Sequence, residues 1–531
     1  MYKFNGVGKV VNMVPIKNKH EFRPTNDSAL EIRESLSFAD NCMKNRVWLR
    51  GDTYELQQLY LKLRAAKKRN CFWGETTGQS YDVKRIHSGL PSRMVKSMSY
   101  VVLGDMRDIK FPNDIDTEVW KQIAKENRFN HLMDYGLKEV LAVGDGAFKV
   151  SIESLFSQYP IVEFYPAEMV EFVRYRGRIQ EVIFSTKYNH GKHTYILKER
   201  YGYGYIINTL YLDGKEVPIT SVPELAKVKD FYFAGGDGEF GEVKQKGDMM
   251  LAVPFILYSS SKYEGRGESI FDERETMFAA LDRDVSQWDE SVEAGAPITG
   301  ISRKNLRYDP NTGKAIIPEA LTRYVVLEGA GNGDGNSNGL GIQTIQYDIP
   351  WQSYYETHAS FLDSILMGFM SPATLGIGIG KIDSGESQRE KEKMTMYTRN
   401  YIVEALTEIV RDLAMIAVQA YYDYHEINSL VSEPDINFGD YANPAFEAVV
   451  ETVTKAKQGG VMSIKTAVDE LYGDSKTEEW KEAEVERIVA DMGYTSLSEP
   501  SFGGDVNYGF EGEPLEDEPE PEDEEIPAED E

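Results

Sequence analysis

Two cysteines, Cys42 and Cys71, are all that 531 residues contain. A secreted chain of this length would ordinarily carry paired disulfides, so the scarcity fits a reducing compartment and argues against a cysteine-built zinc site. Long apolar runs are missing too. No stretch approaches the length of a membrane span, and residues 1–19 interleave Lys3, Lys9, Lys17 and Lys19 with short apolar runs, which does not read as a signal peptide. Of seven histidines only His190 and His193 are close, on either side of a glycine turn, where a solvent-facing hairpin is the plain expectation and a metal pair the lesser one.

Chemistry-bearing motifs are equally scarce. No Gly-x-Ser-x-Gly nucleophile turn occurs, and Gly235-Gly236-Asp237-Gly238 lacks the partners of a calcium loop. The run Leu375-Gly376-Ile377-Gly378-Ile379-Gly380 fails as a phosphate loop. Leu375 stands where glycine is needed, Ile382 stands where serine or threonine is needed, and the run follows a helix instead of a strand. Carboxylate pairs such as Asp282 with Asp284, or Asp289 with Glu290, lie on a heptad-patterned helix where solvated charge is the default. No catalytic, cofactor-binding or metal-binding residue and no enzyme activity is expected of the chain.

A basic excess is absent as well. The net charge is −29, of which residues 511–531 supply thirteen carboxylates and no basic residue, leaving −16 on the first 510. That balance argues against a sequence-reading nucleic-acid binder, whose affinity comes largely from lysine and arginine on phosphates. It leaves room for DNA that slides past without sticking.

At this length three or four domains are expected. The informative stretch runs from Gly265 to Ile427. Phe271, Phe278, Leu281, Val285, Trp288 and Val292 form one narrow apolar seam on a helix, interrupted by Arg274. Trp351, Tyr355, His358, Leu362, Ile365 and Phe369 repeat the spacing on a second helix. Between them lies an insert of short strands, Ile298–Ile301, Ala315–Ile317, Tyr324–Leu327 and Gln343–Tyr347, with a glycine- and asparagine-rich loop at Ala330–Gly341. After Ser371-Pro372 and the glycine run, Ser387–Tyr424 contains neither glycine nor proline and reads as one helix of roughly 57 Å. Its apolar stripe is expected at Met394, Tyr397, Tyr401, Ala405, Ile409, Leu413, Ile416 and Ala420. Two exposed seams of this kind pack together, within a chain or between copies.

Ala29–Ala66 reads as helices broken at Gly51-Asp52, with Thr53 as the cap of the second and the basic run Lys62, Arg64, Lys67, Lys68 and Arg69 at its end. That run fits a solvated helix end better than a DNA or partner contact. Arg93–Leu103 is a short helix, and Thr117–Val143 a longer one capped by Thr117 and stopped by Gly144-Asp145-Gly146. Strands follow at Phe148–Ile152, Ile161–Tyr165, Ile179–Ser185, Thr194–Leu197, Ile206–Leu212 and Asp230–Ala234, so the block is α+β. Small helices close the chain at Pro444–Gln458, Ser463–Leu471 and Thr477–Met492, before a glycine-, proline- and acid-rich tail that cannot bury enough apolar surface to order itself.

The order of these parts resembles the portal proteins of tailed double-stranded DNA bacteriophages, of the general siphophage type, over nearly the whole chain. The carriers are Asn127-Arg128-Phe129-Asn130 leading to Gly144-Asp145-Gly146-Ala147-Phe148, the Val162–Pro166 strand, Gly265-Arg266-Gly267-Glu268-Ser269 before the first seam helix, and Ser384-Gly385-Glu386-Ser387 opening the long helix. Each is weak alone; their order and separations carry the resemblance.

That resemblance implies an α+β portal fold assembling as a cyclic ring, with a wing at 1–258, a first stem helix at 259–293, a clip at 294–349 and a second stem helix at 350–370. It further implies a tunnel loop at 371–386, a long helix returning through the wing at 387–443, a crown at 444–493 and an acidic disordered tail at 494–531. Portals of this family are rings of twelve at one capsid vertex, assembled in the bacterial cytoplasm, through which DNA is packaged and ejected. The implied partners are further copies of the chain, double-stranded DNA without sequence preference, the terminase large subunit, a head–tail adaptor, and the major capsid and scaffold proteins, with no membrane and no cofactor. On this reading Leu375, Ile377, Ile379 and Lys381 of the tunnel loop face DNA. Nine acids against Arg274 and Arg283 between Glu268 and Glu293 make Asp272, Glu275, Asp282 and Asp289 candidates for a phosphate-repelling channel lining. Arg303, Lys304, Arg307 and Lys314 of the clip could meet an acidic motor or adaptor face, or simply protect a strand edge. Two other readings stay open: a different virion assembly protein, such as a scaffold or baseplate component, which would not need the glycine loop, and a hydrolase whose site assembles from residues distant in sequence.

Overall fold

The computed structural model describes residues 21–22, 32–75, 84–153, 156–223, 225, 241–244, 249–302, 306–313, 315–316, 323–327, 342–377, 385–439, 446–472 and 478–491. The chain divides into two compact units, residues 1–441 and 442–531.

The first unit begins with a two-stranded pairing of β1 (Glu21–Phe22) with β2 (Ile32–Arg33). Helices α1 (Phe38–Arg50) and α2 (Thr53–Ala65) follow. Ser37 caps α1 by accepting from the Asp40 amide at 3.2 Å, and Gly51, left-handed at φ 67°, ends it. The cap of α2 is Asp52, which accepts from the Glu55 amide at 3.0 Å, and not Thr53, which is already helical. After α3 (Leu90–Leu103) the expected long helix is two: α4 (Asp114–Glu126), capped by Asn113, and α5 (Phe129–Val143). Thr117 ties its hydroxyl to Phe111 instead of capping, and the chain breaks at Arg128, a non-glycine residue held at φ 48°.

Strand β3 (Asp145–Ser151) is buried along its whole length and pairs with β4 (Ile161–Pro166). A meander then runs through β5 (Val170–Tyr175), β6 (Arg178–His190), β7 (His193–Gly202), β8 (Tyr205–Leu212), β9 (Lys215–Val217) and β10 (Gly241–Lys244), in spatial order β10-β8-β7-β6-β5 with β9 also on β8. Its β5–β6 and β8–β9 turns place Arg176-Gly177 and Asp213-Gly214 at positive φ, as a type I′ hairpin demands of both central residues. Strand β11 (Ala252–Ile256) returns to the free side of β3. The strand expected at Asp230–Ala234 lies outside the described residues.

Helix α6 (Glu275–Ala294) starts after a turn at residues 270–274, later than the seam pattern suggested. The insert holds β12 (Ile298–Ser302), the pair β13 (Arg307–Tyr308) and β14 (Ala315–Ile316), then β15 (Tyr324–Leu327) and β16 (Ile342–Ile345). Strand β12 is central, parallel to β15 and antiparallel to β16. Helix α7 (Trp351–Leu366) packs back on α6, and a short 3-10 turn at Pro372–Leu375 leads toward α8 (Gly385–Tyr424).

Helix α8 has 40 residues, about 60 Å, and packs against α3, α4, β3 and β11. Its buried stripe is Ile402, Leu406, Ile409, Val410, Leu413, Ala414, Ala417, Val418 and Ala420, of which Ile409, Leu413 and Ala420 were expected. Met394, Tyr397 and Tyr401, expected in the stripe, are exposed; in that part Thr395 and Arg399 point inward instead. Arg399 donates to the carbonyls of Val101 at 3.0 Å, Phe438 at 2.9 Å and Gly439 at 2.8 Å, so the guanidinium is satisfied where apolar packing is thin.

The second unit contains α9 (Phe446–Gln458), α10 (Ile464–Tyr472) and α11 (Glu478–Asp491), with α10 packed on both others. Ser463 caps α10 through the Thr466 amide, and Tyr472 meets Trp480 edge-on at 4.9 Å. Thr477 and residues 492–531, including the acidic tail, lie outside the described residues. Among the described residues no helix is long and apolar enough to cross a membrane, and no three His, Cys, Asp or Glu side chains are placed to hold a metal ion.

Candidate functional site

The α6–α7 hairpin is rooted in the N-terminal helices by carboxylates. Asp272 accepts from Asn41 Nδ2 at 2.9 Å and Asn45 Nδ2 at 3.0 Å. Glu275 takes Lys44 Nζ and Arg69 Nη1, each at 2.6 Å, and the Tyr60 hydroxyl at 2.6 Å. Asp282 receives His87 Nδ1 at 2.7 Å, Trp73 Nε1 at 3.2 Å and the Ser88 amide at 2.8 Å. All three carboxylates are buried. The expectation that they line a channel is therefore corrected: their charges are consumed inside the chain, because partners from residues 41–88 reach them first. Asp289 alone among the four is half-exposed, with Lys84 at 2.9 Å.

Burial falls along the hairpin from root to tip. Phe271, Phe278 and Leu281 are buried, Val285 and Trp288 are half-buried, and Val292 is 49% exposed. Near the root, Arg274 Nε donates to the Ile365 carbonyl at 2.9 Å and the guanidinium lies over the Phe369 ring. Further out, Trp288 stacks on Tyr354 with ring centroids 6.0 Å apart and planes 8° from parallel, and Ser291 Oγ bonds the Tyr354 hydroxyl at 2.7 Å. On α7, Ile365 is buried, and so is Phe369 just past the helix, but Trp351 and Tyr355 are each 61% exposed. The two helices stay in contact toward the tip through Trp288, Ser291 and Tyr354, but there Val292, Trp351 and Tyr355 present apolar and aromatic surface to solvent.

The start of the expected tunnel loop is tied down. The Ser371 amide donates to Thr395 Oγ1 at 2.8 Å, and Thr374 Oγ1 lies 2.8 Å from the same hydroxyl, fastening the 3-10 turn to α8. Leu375 is half-buried against the core, Gly376 turns left-handed at φ 75°, and Ile377 is exposed. Ile379 and Lys381 lie outside the described residues. So do Arg303, Lys304 and Lys314, while Arg307 is exposed on β13.

One constellation was legible only as separate motifs. Gly144-Asp145 and Arg266-Gly267 meet in space. Arg266 donates to Asp145 Oδ1 at 2.7 Å and to the carbonyls of Val170 at 2.7 Å and Ala167 at 2.6 Å, with the Phe38 ring 4.0 Å from its guanidinium carbon. The Gly267 amide donates to Asp145 Oδ2 at 2.8 Å. Burial pushes the Asp145 carboxyl up, against the pull of Arg266. A Cβ on Gly144 would fall 2.5 Å from the Gly267 oxygen, and one on Gly267 would fall 2.1 Å from the Gly144 oxygen, so both positions require glycine. This clamp fixes where α6 departs from the sheet. The signal available in the sequence was two glycine-flanked charges of opposite sign.

No family model matches the sequence, and no curated protein matches it. Among solved structures, this chain is similar to a chain from the neck of an empty GTA particle computed with C6 symmetry, at 12% identity and a TM-score of 0.38, covering 70% of this chain and 87% of that one. It is similar to one from the virion of a native gene transfer agent particle at 11% identity and a TM-score of 0.31, covering 72% and 92%. A third similar chain comes from the neck of a native GTA particle computed with C12 symmetry, at 12% identity and a TM-score of 0.30, covering 76% of this chain and 96% of that one.

Proposed function

We propose that this chain is a portal subunit, copies of which close into a ring, expected at twelve, through which double-stranded DNA enters and leaves a capsid. The observation that carries the reading is the α6–α7 hairpin. Its root is locked into the body by buried ion pairs, its tip bears a strand insert, and its outer half leaves Val292, Trp351 and Tyr355 uncovered. A face that one chain cannot cover, meeting a different face of the next copy, builds a ring when the rotation closes.

In this reading residues 1–258 are the wing, α6 and α7 the stem, 294–349 the clip, 371–386 the tunnel loop, 387–443 the long helix crossing the wing and 444–493 the crown. The channel-lining acids of the stem are Asp289 with Glu290 and Glu293, all at least partly exposed, and not the buried three nearer the root. Ile377, Ile379 and Lys381 are the loop residues offered to DNA, with Leu375 as their anchor. The clip, with Arg307 and the neighbouring Arg303, Lys304 and Lys314, is the docking end for a terminase and later a head–tail adaptor; the wing and crown face the capsid and scaffold proteins.

Native mass spectrometry of the purified chain, with negative-stain averages viewed down the symmetry axis, tests the proposal. A ring of about twelve copies with a central hole is expected. A monomer or dimer that stays so on adding scaffold and capsid protein returns the chain to other assembly roles.

A further inference from the structure

The corner between α4 and α5 is built with more hydrogen bonds than a connection needs. Asn127 Nδ2 donates to the carbonyls of Ile123 at 2.9 Å and Pro160 at 2.8 Å, and its Oδ1 accepts from the Val162 amide at 2.8 Å, tying the corner to β4. Arg128 is held left-handed beside it, and Phe129 turns inward to meet Trp120 edge-on at 5.0 Å. The corner walls a cleft of about 580 Å³. Its floor is apolar, made by Ile109, Trp120 and Phe129, each nearly buried. Its rim is cationic, with Lys121, Lys125 and Arg128 exposed and the exposed His131 ring beside them, and Asp108 is the one acid lining it. Lys121 is engaged by Glu118 at 2.7 Å, whereas Lys125 and Arg128 make no ion pair among the described residues. In a chain of net charge −29 this is a local reversal of sign around a preformed concavity.

We propose that the cleft binds a carboxylate-rich peptide segment of a partner protein. A peptide can set carboxylates against the rim while apolar side chains between them cover the aromatic floor, which uses both features of the site. Duplex DNA fits less well. Its phosphates continue in both directions and call for a cationic stripe, but outside the cleft α4 exposes Asp114, Glu118 and Glu126.

The test is fluorescence anisotropy at low ionic strength, titrating the full-length protein into a short fluorescein-labelled peptide of repeated Glu-Glu-Leu. Lys125→Glu/Arg128→Glu should weaken binding roughly tenfold, as expected for two reversed contact charges. Lys125→Gln/Arg128→Asn should weaken it less, and asparagine tolerates the left-handed backbone, which guards against a folding artefact. Lys187→Glu/Lys192→Glu, the same change of net charge on exposed positions of the β6–β7 hairpin, should leave binding nearly unchanged. The proposal is overturned if the peptide does not bind, if the hairpin pair weakens binding as much as the cleft pair, or if a short DNA duplex binds more tightly than the peptide and loses affinity with the cleft pair.

Discussion

Asp284 of α6 and His358 of α7 face each other across the hairpin, Oδ2 to Nδ1 3.9 Å, and neither atom has a hydrogen-bond partner among the described residues. Burial raises the Asp284 carboxyl above its ordinary range, and the attraction of His358 offsets only part of this. A carboxyl raised in the folded state favours folding while it stays protonated, and that contribution is lost as pH rises through its folded value. Asp284→Asn should therefore stabilise the protein at pH 8 by about 1 kcal/mol, with the gain fading toward pH 4. Thermal melts of both proteins across that range decide it; a gain of equal size at every pH would show that the charge is not the cause.

Glu275 has the opposite sign. Burial alone would push its carboxyl up, but Lys44 and Arg69, with the Tyr60 hydroxyl, hold it below the usual carboxylate range. Its contribution is present above about pH 4.3, the ordinary glutamate value, and is lost as pH falls through the lowered folded value. Glu275→Gln at neutral pH would leave Lys44, whose side chain is 1% exposed, with only the Asp272 carboxylate at 3.9 Å as a counter-charge. Breaking a buried pair from one side costs about 3–5 kcal/mol. Urea denaturation should show that loss, and adding Lys44→Met should recover part of it by removing the stranded cation.

These two carboxylates mark where reading from sequence stops. Strand-forming runs located β3, β4, β6, β7 and β8, and the glycine turn between His190 and His193 located the β6–β7 hairpin, because both signals are local. The acids of α6 were read as solvated because helical spacing says nothing of Asn41, 231 residues away, or of Lys44, at the same separation from Glu275. The break between α4 and α5 was missed because Arg128 holds a conformation usually left to glycine, and Asn127 secures it through β4, a tertiary cause. The stripe of α8 was misplaced in its first turns because Tyr397 and Tyr401 are amphipathic, whereas Arg399, buried on three carbonyls, reads as a surface residue. In the hairpin the seams were visible, but not which of their residues the partner helix covers: Trp288 finds Tyr354, whereas Trp351 and Tyr355 stay exposed.

The two thiols should be inert in the folded protein. Burial pushes Cys71 up to about 12, and burial with the Glu168 and Asp145 carboxylates nearby pushes Cys42 higher still. An aromatic disulfide reagent at pH 8 should titrate neither thiol in native protein and both after denaturation. Rapid reaction of Cys71 alone would mean that the short turn at Phe72–Gly74, which covers it, opens in solution.

The exposed aromatics of α7 separate assembly from folding. Trp351 and Tyr355 touch little of their own chain, so Trp351→Glu/Tyr355→Glu should leave the subunit's melting behaviour within the range of ordinary surface changes, about 0.5 kcal/mol. If these rings are anchors between copies, each is worth about 2 kcal/mol per interface, and a closed ring repeats the loss at every contact, so native mass spectra should shift from rings to monomers. Tyr354→Ala is the contrast. It removes the stack on Trp288 and the bond to Ser291 inside one chain, so it should lower the melting temperature of the monomer as well. Intact rings in the double variant would place the contact between copies elsewhere and remove the observation on which the portal proposal rests.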